Sequence, residues 1–181
     1  MLTSRQFWLM VHLSLGVVFI HAFAGGIITL LGSKTAPASS ARVLVSERVK
    51  TLTRSFSTAG MALVAWLTVL SGTWITYPWY RAKPPTGVAD TAYPQAWLEG
   101  HGLSFWHDYG MEWKEHVGWL APFLATAVAF VALRYPRTLN GDKRLRGTVT
   151  TYFTLAFAAA VIAGLLGAII NNVAPNQFLA S

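Results

Sequence analysis

From Phe7 to Leu31 the chain reads FWLMVHLSLGVVFIHAFAGGIITLL, with no Lys, Arg, Asp or Glu anywhere in the run. As a helix this stretch is long enough to cross a hydrocarbon core of roughly 30 Å. It also carries His12 and His21. An ionisable group inside a span costs about 2.5 kcal/mol or more when charged, so histidines kept there face protein, a cofactor or a water-filled space. A cleavable secretory signal is the competing reading, because the small residues Ala36, Pro37 and Ala38 follow. The apolar region is longer than the roughly 7–15 residues of a signal, and its two histidines also argue against cleavage.

Three further gaps in the charge pattern, 55–80, 116–133 and 147–181, are equally free of Lys, Arg, Asp and Glu. Only 12% of the chain is charged, about half of what a soluble domain carries, and the mean hydropathy is +0.44. The pattern predicts an all-α integral membrane protein in which residues 1–181 form a single four-helix bundle. The expected spans are about 7–31, 58–77, 112–133 and 149–173, with a long connection over 82–111.

The net charge of +7 does not point to nucleic acid, because position matters more than total. Lys34, Arg42, Arg48, Lys50 and Arg54 face only Glu47 in the first connection, and Arg134, Arg137, Lys143, Arg144 and Arg146 face only Asp142 in the third. The middle connection is acidic, with Asp90, Glu99, Asp108, Glu112 and Glu115 against Arg81, Lys83 and Lys114. By the positive-inside rule the first and third connections are cytoplasmic, and both termini lie outside, on the periplasmic face of an inner membrane. Val45, Val49, Leu52 and Phe56 repeat at helical spacing before the second span, as expected for a helix on the lipid surface or leading straight into the span. The Tyr77-Pro78-Trp79-Tyr80 cluster marks the outer interface. Lys83-Pro84-Pro85-Thr86-Gly87 excludes a long regular element after it. In the fourth span Ala156, Ala160, Gly164 and Ala168 form an i+4 stripe of small residues, a surface another helix can approach closely in lipid.

Without cysteine there is no disulfide, thiolate metal site or covalently attached haem. Any cofactor must use His, Met, carboxylates or backbone. His12 and His21 are nine residues apart, which at 100° per residue places them on opposite faces of one helix. Gly16 shares the His12 face and leaves room for a flat ring. A b-type haem needs two neutral imidazoles from different helices and small residues beside the porphyrin, and the pair matching best in depth is His12 with His116 near the outer face. His21, deeper, is expected to meet a neighbouring helix or a quinone head group. Glu112 and His116, one helical turn apart, are a candidate metal site, with solvated interfacial side chains as the plainer reading.

The four-span outline resembles small membrane-bound b-type cytochromes in architecture, over the spans only and without the four paired histidines of the di-haem forms. This resemblance implies a small subunit of a respiratory or photosynthetic electron-transfer complex, holding one b haem near the outer face. The alternative is a cofactor-free accessory subunit packed against larger membrane partners. A third reading is an outer-face Glu/His metal or quinone-contact site. No nucleophile and base constellation suggests a stand-alone enzyme, and the spans are expected to hold no acid or base that would mark a transporter.

Overall fold

The structure is a computed structural model that describes residues 3–31 and 41–174. Every regular element in it is helical. Helix α1 (Ser4–Leu31) and helix α2 (Ala41–Ser71) are followed by a π-helical turn (Gly72–Thr76) and the short helix α3 (Tyr77–Tyr80), which continues the same rod. After a 3-10 turn (Asp90–Ala92) comes α4 (Pro94–Gly100), then a second π-helical turn (Trp106–Met111) leading into α5 (Glu112–Arg134). Helix α6 (Pro136–Gly141) joins α5 to α7 (Lys143–Val173).

Four segments are long and apolar enough to cross a membrane: Ser4–Ile28, Thr51–Tyr80, Trp106–Arg134 and Lys143–Val173. The all-α four-span bundle therefore stands, with every span beginning three to seven residues before its expected start. The basic stretch before the second span is no separate surface helix, since α2 runs unbroken from Ala41. The third span begins at Trp106, so the outer connection is shorter than 82–111, and Glu112, Lys114 and Glu115, expected at the mouth of the span, lie more than a turn inside it. Lys34, Ala36, Pro37 and Ala38 lie outside the described residues.

Helix α1 packs on α2, α2 on α5, α5 on α7, and α7 closes the ring on α1, leaving α1 and α5 diagonally opposite. The centre is filled by Phe19, Leu30, Met61, Ala65, Ala125, Val128, Ala132, Val149, Phe153 and Ala156. Phe23 links α1 to α7 by stacking on Phe157, with ring centroids 3.9 Å apart. A second, smaller apolar cluster of Tyr80, Leu98, Met111, Ile170 and Ala174 seals the outer end. Large apolar side chains face outward along every span. A soluble monomer rarely exposes so much apolar surface, whereas a lipid bilayer solvates it.

The close approach of α5 and α7 uses a different line of small residues from the i+4 stripe. Ile170 lies over Gly110 and the Lys114 side chain over Gly167, where a Cβ would come within 3.3 and 3.1 Å of them, and Ala163 faces Gly118 at ordinary contact distance. Ala156 belongs to the core, but Gly164 and Ala168 are exposed. Steps of four residues advance 400° and drift about 40° each time, so a strict i+4 stripe leaves the interface after two turns. Alternating steps of four and three, as in Ala156, Ala160, Ala163, Gly167 and Ile170, stay on one face.

The outer connection is built from short pieces with clear stop signals. Pro94 opens α4, where its missing N–H costs nothing. At the other end Gly102 takes φ 72°, and Leu103 N donates to Leu98 O at 2.9 Å. That 6→1 bond after a left-handed glycine is a Schellman cap. It returns the chain to the bundle at Trp106.

Candidate functional site

The histidines are best understood through their tautomers, which their partners fix. His12 Nδ1 lies 2.9 Å from Ser71 Oγ. The Ser71 hydroxyl gives its own proton to the Thr68 carbonyl at 3.0 Å, so it can only accept from His12. His12 is therefore the neutral Nδ1–H form, with its lone pair on Nε2. Its ring lies over Gly72, where a Cβ would sit 3.1 Å from His12 Cε1. Gly72 opens the first π-helical turn, a distortion that inserts an extra residue and recurs at functional positions.

His21 and His116 are fixed in the same form by their own helices. His21 Nδ1 meets Val17 O at 2.9 Å, and His116 Nδ1 meets Glu112 O at 2.7 Å. A carbonyl only accepts, so each Nδ1 carries a proton and donates it to its own helix. Both side chains are exposed on the outside of the bundle. His12, in contrast, is turned toward α2, as the half-turn separation from His21 requires.

The structure does not bring His12 and His116 together. His12 sits in the α1–α2 seam, and His116 lies on the outer surface of the diagonal helix α5. Gly16 has open space beside it. Met61 is fully buried in the core, away from the exposed His21. Glu112 and His116 share a turn through the Glu112 backbone carbonyl, and among the described residues no three His, Asp or Glu side chains gather as a metal site.

Beside His116 the surface is aromatic. Trp119 and Phe123 follow it on α5, and Trp66 and Trp74 approach from the second span. Trp66 contacts Phe123 edge to face with centroids 5.3 Å apart, and Trp119 contacts both Trp66 and Trp74 at 6.1 Å. Trp66 Nε1 is satisfied by Thr126 Oγ1 at 3.0 Å, whose own proton goes to the Pro122 carbonyl at 2.6 Å. The result is a wall of edge-to-face rings in which the Trp66 N–H is already paired.

Inside the bundle the structure reveals a polar group that charge counting missed. Lys114 reaches under α7, with Nζ 3.1 Å from where a Gly167 Cβ would stand. Next to it, the Tyr77 hydroxyl is directed at the Glu115 carboxylate, of which Oε1 is buried without a hydrogen-bond partner. In the sequence the acidic and basic residues at 112–115 read as solvated side chains at the mouth of the third span. Only the π-helical continuation from Trp106 carries them into the span, and Gly167, an α7 residue outside the i+4 stripe, was the one available signal.

His107 closes the outer end. It is 8% exposed, with Nδ1 3.1 Å from the Tyr80 hydroxyl and Nε2 3.2 Å from Gln95 Nε2. The amide NH2 of Gln95 only donates, so His107 Nε2 accepts and Nδ1–H donates to Tyr80. Gln95 also donates to Glu99 at 2.8 Å. His107 differs from the span histidines in having both ring nitrogens engaged.

Comparison with known protein families, characterised proteins and solved structures finds no match for this chain.

Proposed function

We propose that this chain is a small transmembrane subunit of a membrane electron-transfer assembly. In this reading its redox contact is made on the outer surface of α5 and not at the centre of the bundle. The observation that carries the reading is His116. Its Nδ1 donates to the Glu112 carbonyl, its side chain is exposed on the outside of the bundle, and the aromatic wall of Trp66, Trp74, Trp119 and Phe123 runs up to it. A backbone acceptor on Nδ1 is the usual way a ligating histidine is oriented and its basicity raised.

Were a b-type haem bound there, His116 would be the residue of this chain that holds it, the aromatic wall would cover one apolar side, and a partner subunit would have to complete the site. A haem there would carry single electrons between donor and acceptor at the outer face. What this chain contributes is a neutral imidazole of fixed orientation and a flat apolar wall that excludes water. His21 is exposed on α1 in the same way and marks a second face covered by protein or by a quinone head group.

The test is the reduced-minus-oxidised visible spectrum of the intact assembly, isolated in mild detergent from cells carrying wild-type or His116→Ala chain. Loss of one b-type α band in the variant, with the chain still incorporated, supports the proposal. An unchanged spectrum in an intact assembly overturns it and leaves the accessory role, which the outward apolar faces of all four spans favour.

A further inference from the structure

At the end of the bundle that carries the basic connections, a cleft of about 250 Å³ opens between the last turn of α1 and the first turns of α7. It is lined by Leu30, Leu31, Lys143, Arg146, Gly147 and Thr150. We propose that this cleft binds the phosphate headgroup of an anionic phospholipid from the cytoplasmic leaflet, independently of the electron-transfer reading above.

Three observations support this. Two cations, Lys143 and Arg146, line one side of the cleft. Asp142, the acid next to Lys143, caps α7, its Oδ1 accepting from Arg144 N at 2.8 Å and Leu145 N at 3.1 Å. Arg146 is engaged, with Nη1 donating to the Asn140 carbonyl at 3.3 Å, so Lys143 is the cation on which the proposal turns. The opposite wall is apolar: Leu30 is fully buried and Leu31 is 67% exposed at the rim.

A free phosphate would be served by the cations alone. A lipid also needs an apolar surface for the first carbons of its chains, which Leu31 supplies at the bilayer edge. Gly147 leaves the floor open, with nothing within 4 Å of a would-be Cβ, and Thr150 places a hydroxyl at its far end. Basic pockets between spans on the cytoplasmic side are a recurrent means of holding acidic headgroups.

The experiment is native mass spectrometry of the full chain in detergent, titrated with phosphatidylglycerol, with phosphatidylcholine of the same acyl chains, or with glycerol 1-phosphate. Wild-type protein is expected to retain phosphatidylglycerol in preference to phosphatidylcholine and to show no saturable adduct with glycerol 1-phosphate. Lys143→Gln should weaken phosphatidylglycerol binding about fivefold, as expected for removing one cation near the surface. Arg137→Gln, an exposed charge on the same basic connection but outside the cleft, should leave it unchanged. Lys143→Gln keeps the Arg146 contact and so tests the site even if Arg146 variants misfold. Equal retention of the two lipids overturns the proposal, as does equal weakening by Lys143→Gln and Arg137→Gln. Glycerol 1-phosphate bound as tightly as the lipid would identify a soluble phosphate site and likewise overturn it.

Discussion

Phe153 of α7 lies directly against the backbone of Gly26 in α1, so that a Cβ at Gly26 would fall 2.5 Å from Cζ and 2.6 Å from Cε1 of the ring. Phe153 is fully buried among core residues of all four spans, and it cannot swing away without opening a cavity. Gly26→Ala is therefore expected to destabilise the bundle by about 1–3 kcal/mol, the usual cost of overpacking. Thermal unfolding in detergent would show it. Pairing the change with Phe153→Leu should recover part of the loss, since the smaller side chain vacates the contested space.

Gly167→Ala provides the contrast. The atoms it would meet are Nζ and Cε of Lys114, at 3.1 and 3.2 Å, the far end of a flexible chain. Lys114 can shift at little cost, so the same unfolding measurement should place Gly167→Ala within about 0.5 kcal/mol of wild type. A loss as large as that of Gly26→Ala would mean that the lysine is held rigidly.

Ser71→Ala removes the acceptor of the His12 N–H without removing the N–H. The ring is part-buried and also meets the Thr68 backbone, so the loss is that of one hydrogen bond, about 0.5–1.5 kcal/mol. The unfolding midpoint should fall accordingly, and Ser71→Thr, which retains a hydroxyl, should fall less. In NMR of labelled histidine, the Nδ1–H tautomer of His12 should lose its dominance in Ser71→Ala and keep it in Ser71→Thr.

His107→Ala should loosen the outer connection while leaving the spans intact. It removes the group that joins Tyr80 of the second span to Gln95 of α4. Limited tryptic digestion reports this at the Arg81–Ala82 bond, since Lys83 is followed by proline. Cleavage there should be faster in the variant, with little change in helical content by circular dichroism.

Much of the architecture was legible because a bilayer imposes one rule on every span. Gaps without Lys, Arg, Asp or Glu had to be helices, and their number and rough limits follow from the gaps. The failures have a common source. Asp108, Glu112, Lys114 and Glu115 look solvated when each charge is counted alike, but a helix near the interface can carry them if they point inward or snorkel outward. Trp106 therefore begins the third span, and Lys114 ends beneath Gly167. The direction of His116 was equally hidden. Its one-turn spacing from Glu112 suggested two side chains acting together, whereas the bond runs from His116 to the Glu112 backbone, and no periodicity argument distinguishes the two. The opposite faces of His12 and His21, by contrast, follow from helix geometry alone.

The second span has a mechanical consequence. Helix α2, its π-helical turn and α3 join residues 41–80 into one rod, about 60 Å long at 1.5 Å per residue and twice the thickness of the hydrocarbon core. Its first ten residues precede the candidate span at Thr51, like the handle of a lever. Torque applied there would be carried through the stiff α-helical shaft to its least regular section, the wider turn at Gly72 on which the His12 imidazole rests.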